Sequence, residues 1–248
     1  MSELKLPAAS GGGSISIKGP SSSSSDVDLL DTTGDLNLKD NKKLKLGDSG
    51  DLSIYHDGSH SRLKNDTGYI ILNTDTGVLL KNAADDTNYL ACDSNGIITQ
   101  PLKPAFCARG ASSWTNVGTN NSGHVPVLAT EVFDRNADYN NSTYKFTAPV
   151  NGIYYFGFNI YWKLGTQGDT NNGYWYGYLT VANTEQSHAH IMKGYNNQGD
   201  ADTTTSCSAV HHCDAGNEVY WKLRTPNESE ADLSYYGAHT VFFGYLVG

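Results

Sequence analysis

Between residues 146 and 162 nearly every second position is apolar or aromatic: Phe146, Ala148, Val150, Tyr154, Phe156, Phe158, Ile160 and Trp162, with only Gly152 breaking the series. Lys145, Thr147, Asn151 and Asn159 stand at the odd-numbered positions. A period of two is the signature of a strand with one face buried. Pro149 has no N–H to give a ladder, and Asn151-Gly152 tolerates positive φ, so the pattern predicts two strands, 145–147 and 153–162, joined by a tight corner. In 240–247 both alternating sets are apolar, Phe242 and Leu246 on one side and Val241, Phe243, Tyr245 and Val247 on the other. Such a strand is covered on both faces, and a second subunit would cover the outer one.

Upstream the pattern is thinner. Segments 35–39, 43–46, 51–55, 68–72, 77–81, 88–91 and 96–99 read as short strands with two or three apolar residues each, separated by Asp, Asn and Gly turns. Ordering a backbone costs about 1–2 kcal/mol per residue, more than one such sheet recovers alone. Three chains winding round one axis would bury each stripe against two others, which predicts a slender trimeric β-shaft over 36–100 with 99–104 as its neck. Residues 1–35 contain a Ser-Gly-Gly-Gly-Ser run and five consecutive serines around a short alternating stretch at 14–18. That composition is a flexible attachment segment which gains order by docking onto something else.

The stretch around Phe146 carries a family signature. Asp134, Tyr139, Phe146, Gly152, Tyr154, Phe156 and Phe158 stand at the spacing of the C1q/tumour-necrosis-factor-like domain, with Leu128 where the signature opens on Phe. The resemblance continues through 104–109 as the opening strand, 215–223 as the strand after the "GD-V" turn, and 241–247 as the closing strand. It implies an all-β, ten-stranded jelly-roll head over 101–248 that associates as a homotrimer. Phe146, Tyr154, Phe156, Phe158, Trp221, Phe242 and Phe243 would form its core and trimer contacts. Residues 47–58, Gly-Asp-Ser-Gly-Asp-Leu-Ser-Ile-Tyr-His-Asp-Gly, resemble a repeat of cyanophage tail-fibre and other structural proteins, and the N-terminus resembles the opening of marine tailed-phage structural proteins.

Composition sharpens the division. All four Trp and all seven Phe follow residue 100, and the only aromatics before it are Tyr55, Tyr69 and Tyr89. The C-terminal part therefore carries a core of its own. The net charge of −9 becomes −27 in a trimer, three times −9, and argues against nucleic acid or an anionic membrane as partner. No run of 18 apolar residues is present to insert into a membrane, and the first residues have no apolar stretch of the secretory kind. The expectation is synthesis in a reducing host cytoplasm and residence in a virion. Cys92, Cys107, Cys207 and Cys213 read as free thiols. The last two, six residues apart on one strand, would be about 20 Å from each other.

No nucleophile elbow, zinc-protease motif or phosphate-cradling loop occurs, so the chain is read as a non-enzyme without a cofactor. His188 and His190 would face the same way in a strand, and three copies about an axis could ring an ion. The plainer reading is solvent-exposed or locally hydrogen-bonded imidazoles, and no metal is assigned. Binding is sought in three long polar loops, 163–173, 183–206 and 225–236, where Tyr174, Tyr195, Asn196, Asp200, Tyr235 and Tyr236 combine aromatic rings with amide and carboxylate groups suited to surface glycans. The expectation is a trimeric phage tail fibre that attaches by its N-terminal segment to a tail or capsid protein and by its head to a host-surface glycan or protein. Two other readings are an architectural fibre or trimerisation cap without a receptor, and a secreted C1q-like lectin using sequons at Asn141 and Asn227. The lectin lacks collagen Gly-X-Y repeats in its favour.

Overall fold

A computed structural model describes the backbone of Ser16–Ile17 and Val27–Asp28 and the residues 38–117, 123–163, 174–194, 203–224 and 233–248. The chain divides into two compact units, Met1–Thr74 and Asp75–Gly248.

In the first unit β1 (Ser16–Ile17) pairs with β2 (Val27–Asp28), and β3 (Leu44–Leu46), β4 (Leu52–His56) and β5 (Ser61–Asn65) form an antiparallel meander. The β4–β5 turn is built on one carboxylate. Asp57 Oδ1 accepts the N–H groups of Ser59 and His60, and Oδ2 accepts from Arg62 Nε. The Arg62 bond and these two N–H groups hold the Asp57 carboxyl down at about 2. Leu44, Ile54 and Leu63 align across the three strands on one face, and all three are exposed. The strand predicted at 68–72 is absent: Tyr69 is 91% exposed and Ile71 73%, with no ladder for either. Its apolar run has no neighbouring strand within the chain to pair with. Nor is there a strand at 38–39, the described end of the one predicted at 35–39.

The second unit opens with an antiparallel sheet of β6 (Gly77–Lys81), β7 (Asn88–Asp93) and β8 (Ile98–Thr99). A two-sheet sandwich follows. One sheet contains β9 (Ala105–Arg109), β10 (Trp114–Val117), β11 (Thr130–Asp134), β14 (Gly152–Lys163), β17 (Thr203–Cys213), β19 (Leu233–Tyr236) and β20 (Val241–Leu246). The other contains, in spatial order, β12 (Tyr139–Asn140), β13 (Lys145–Thr147), β18 (Glu218–Arg224), β15 (Tyr174–Val181) and β16 (Thr184–Gly194). The seven-stranded sheet centres on β14, flanked along its length by β17 on one side and by β20 and then β19 on the other. The resemblance implies ten strands; the described residues of the sandwich hold twelve, with β10 and β19 paired at one end of the seven-stranded sheet. The only helical turn among the described residues is 3-10, at Gly237–His239.

The corner falls where Pro149 and Gly152 predict it, and Ala148 N–H and C=O bond to the 216–217 turn. Val150, in that corner, is exposed and does not continue the buried series. Phe146, Tyr154, Phe156, Phe158, Ile160 and Trp162 are buried between the sheets. Phe106 stacks on Phe146 at 4.7 Å and meets Phe242 edge-on at 4.9 Å, while Phe158 stacks on Trp221 at 4.7 Å. Truncating one such ring to alanine typically costs roughly 3–5 kcal/mol. Leu128 is buried where the signature has Phe, and the Tyr139 hydroxyl donates to its carbonyl. All four cysteines are free. Burial pushes the thiol of Cys213 up to about 11.

Candidate functional site

Two surfaces of the sandwich stand out, one on each sheet. On β14 the residues between the buried ones, Ile153, Tyr155, Gly157, Asn159 and Tyr161, point away from the core. Register places Tyr155 beside Tyr245 and Val210, and Gly157 beside Phe243 and Ser208, with Cys107 and Phe133 continuing that row. Phe133, Ile153, Val210, Tyr245 and Val247 are all exposed large apolar side chains. Tyr155 lies 5.3 Å from Tyr245 and 6.3 Å from Phe243, centroid to centroid. Phe243 is thus half-buried on this outward face, whereas Phe146, Tyr154, Phe156, Phe158, Trp221 and Phe242 belong to the interior. A contiguous apolar face of this kind marks an association surface.

The second surface is a groove of about 550 Å³ on the outward side of the five-stranded sheet. Tyr176 and Tyr178 on β15 lie one strand period apart, edge to face at 5.6 Å. Cross-strand register sets Arg224 of β18 and Met192 of β16 on either side of Tyr176, and His190 beside Tyr178. Then β16 departs from its partner. Between the pairs Tyr178–His190 and Thr180–Glu185, the single residue Leu179 faces four, Gln186 to Ala189. The surplus arches out as a large bulge and deepens the groove. Glu185, at the foot of the arch, accepts from Arg224 through Nε at 2.9 Å and also through Nη2.

The remaining polar atoms matter to what the groove can hold. These two bonds from Arg224 fall on Glu185 Oε1, and Oε2 has no protein donor among the described residues. His190 Nδ1 lies 3.2 Å from the Ser187 carbonyl, so Nδ1 carries the proton and Nε2 of the neutral ring is an acceptor. The Tyr178 hydroxyl likewise has no protein partner among the described residues. Stacking faces and uncommitted acceptors therefore share one concavity.

The predicted ligand residues scatter. Tyr235 is 0% exposed and its hydroxyl oxygen accepts the Val127 N–H at 2.7 Å, so it is a core residue and not a binding ring. Tyr236 is half-buried on the outward face of the seven-stranded sheet, against His239 at 4.9 Å and Tyr161 at 6.4 Å. Tyr174 begins β15, where its backbone pairs with Gly194. Tyr195, Asn196 and Asp200 lie outside the described residues. The two histidines part company at the arch: His188 stacks on His211 of the other sheet at 5.4 Å, while His190 lies 5.9 Å from Tyr178. Among the described residues no group of three or more His, Cys, Asp or Glu could hold a metal ion. Sequence reasoning missed Glu185, Arg224, Ser187 and Met192. The alternation of Tyr174, Tyr176 and Tyr178 was the available signal for the face they join.

Two packed antiparallel sheets with this strand order define a jelly-roll sandwich. The C1q domain model matches residues 105–247, and the chain belongs to that family. Among solved structures it is similar to the globular domain of zebrafish complement 1qA protein, at 20% identity and a TM-score of 0.38, covering 59% of this chain and 98% of that one. It is also similar to Eiger TNF from S. frugiperda, at 12% identity and a TM-score of 0.41, covering 59% and 94%. No curated protein matches.

Proposed function

We propose that the chain is the subunit of a homotrimeric tailed-phage virion fibre whose C1q head adheres to the host surface. In this reading residues 1–35 attach to a tail or capsid protein, 36–100 form the β-rich shaft, and the outward face of the seven-stranded sheet is the seam between heads. One observation carries it: apolar side chains stand in register on outward faces of both units, Leu44, Ile54 and Leu63 exposed in the first, and in the second Tyr245 and Val210 exposed beside the half-buried Tyr155 and Phe243. An obligate assembly leaves such faces on its separated subunit. The resemblance of residues 47–58 to cyanophage structural proteins gives the assembly its setting, and exposure at the end of a fibre gives the head its task.

The test has two readouts. Light scattering of the full chain should give three times 26.8 kDa, about 80 kDa. Labelled trimer should bind host cells saturably and compete with phage adsorption. A folded trimer that never binds cells would leave an architectural fibre, and a stable monomer would overturn the assembly itself.

A further inference from the structure

The geometry points to the groove on the five-stranded sheet as a binding site for a neutral saccharide, a proposal that rests on reading the head as an adhesion module. Tyr176 and Tyr178 offer flat, rigid faces of the kind that pack against the C–H face of a sugar ring, and they lose little entropy in doing so. Met192, 60% exposed, extends that apolar wall. A sugar hydroxyl both donates and accepts, so its partners must supply acceptors as well as donors. Glu185 Oε2 and His190 Nε2 are acceptors, while the hydroxyls of Tyr178 and Ser187 serve either way. The groove lies within the roughly 300–1,000 Å³ typical of ligand sites, enough for more than one ring.

Charge selects the class. Among the described residues the full charges lining the groove are Arg224 and Glu185, and they pair at hydrogen-bond distance with side chains 22% and 28% exposed. Lys222, beside Tyr178 on β18, runs its stem along Gly123 and is not among the described lining residues, so no unpaired cation among them draws a sialylated or phosphorylated glycan, and the chain as a whole is at −9. An uncharged ligand avoids the repulsion that an anionic one meets. The groove and the apolar face of the seven-stranded sheet lie on opposite sides of the sandwich. Assembly through that face leaves the groove open, and three weak sites on one trimer act together by avidity.

The experiment uses the full chain on an array of neutral, sialylated and phosphorylated oligosaccharides, followed by saturation-transfer NMR with the best neutral binder. Tyr178→Ala and Glu185→Gln are compared with the unaltered chain, with trimer mass and circular dichroism as folding checks. Each variant should lose at least 10-fold in affinity while remaining a trimer. Because Tyr178→Ala also removes a ring from β15, Ser187→Arg, on the exposed arch, serves as a second blocking change and should abolish binding. Binding confined to charged glycans, no saccharide binding at millimolar concentration, or neutral binding untouched by folded Glu185→Gln and Ser187→Arg would each overturn the proposal. Host-cell binding by the same variants separates the two claims. If it persists, the groove assignment fails and adhesion stands; if saccharide binding is real but cells are never bound, adhesion fails and the groove stands.

Discussion

Phe243 lies across Gly157 so closely that a Cβ at that position would stand 2.1 Å from Cζ of the ring. Any side chain at 157 must push the ring off the outward face, which a terminal aromatic ring does by rotating into solvent. Gly157→Ala is therefore expected to change the stability of an isolated head little and to weaken self-association. Sedimentation across a concentration series should show dissociation at higher concentration than for the unaltered chain, with unchanged circular dichroism. His211 makes a second residue-scale case. Burial, and then the neighbouring His188 and His212, hold its imidazole below the usual value of 6.5. The unfolded chain takes up that proton near 6.5 while the folded chain does so only at lower pH, so stability falls as pH drops through this window. Burial lowers His124 too, with the same sign. Thermal melts between pH 7.5 and 5 should show the loss, and His211→Gln should flatten part of it and leave the His124 share.

At the scale of the element, legibility follows how much of a strand's fate is decided by its own alternation. Strands β13 and β14 were readable because Phe146, Tyr154, Phe156 and Phe158 keep a strict period and Pro149 with Gly152 marks the break. Strand β5, Ser-Arg-Leu-Lys-Asn, carries one apolar residue and was not readable; it exists because the Asp57 turn returns the chain onto β4. The apolar run at 68–72 shows the converse, a good pattern with no partner strand. The arch of β16 was invisible because a bulge is a property of register between two strands, and it alone separates His188 from His190. Tyr235 misled because it adjoins a polar loop, while its partner, the Val127 N–H, is 108 residues away. The Asp57 turn yields a prediction of its own. With the folded carboxyl at about 2 against the usual 3.8, its contribution is complete above 3.8 and is lost as pH falls through about 2. The Ser59 and His60 amide signals should keep their positions down to pH 3 and collapse below 2, and Asp57→Ala should abolish them at neutral pH.

For the whole molecule, two large terms oppose each other. In the proposed trimer three chains at −9 would repel, whereas the Tyr155, Phe243, Tyr245 and Val210 face would gain about 25 cal/mol for every Å² it removes from water. Repulsion between solvent-exposed charges is screened with a Debye length of about 30 Å at 0.01 M salt and about 8 Å at 0.15 M, while apolar burial is nearly indifferent over that range. Raising salt from 0.01 to 0.15 M should therefore strengthen association, and the melting temperature should climb with chain concentration because assembly draws on the folded state. Val210→Glu places a charge on the same face and should remove both dependences while leaving the interior intact. Association that weakened with salt would mean ion pairs hold the subunits, and the apolar face of the seven-stranded sheet would then not be the seam.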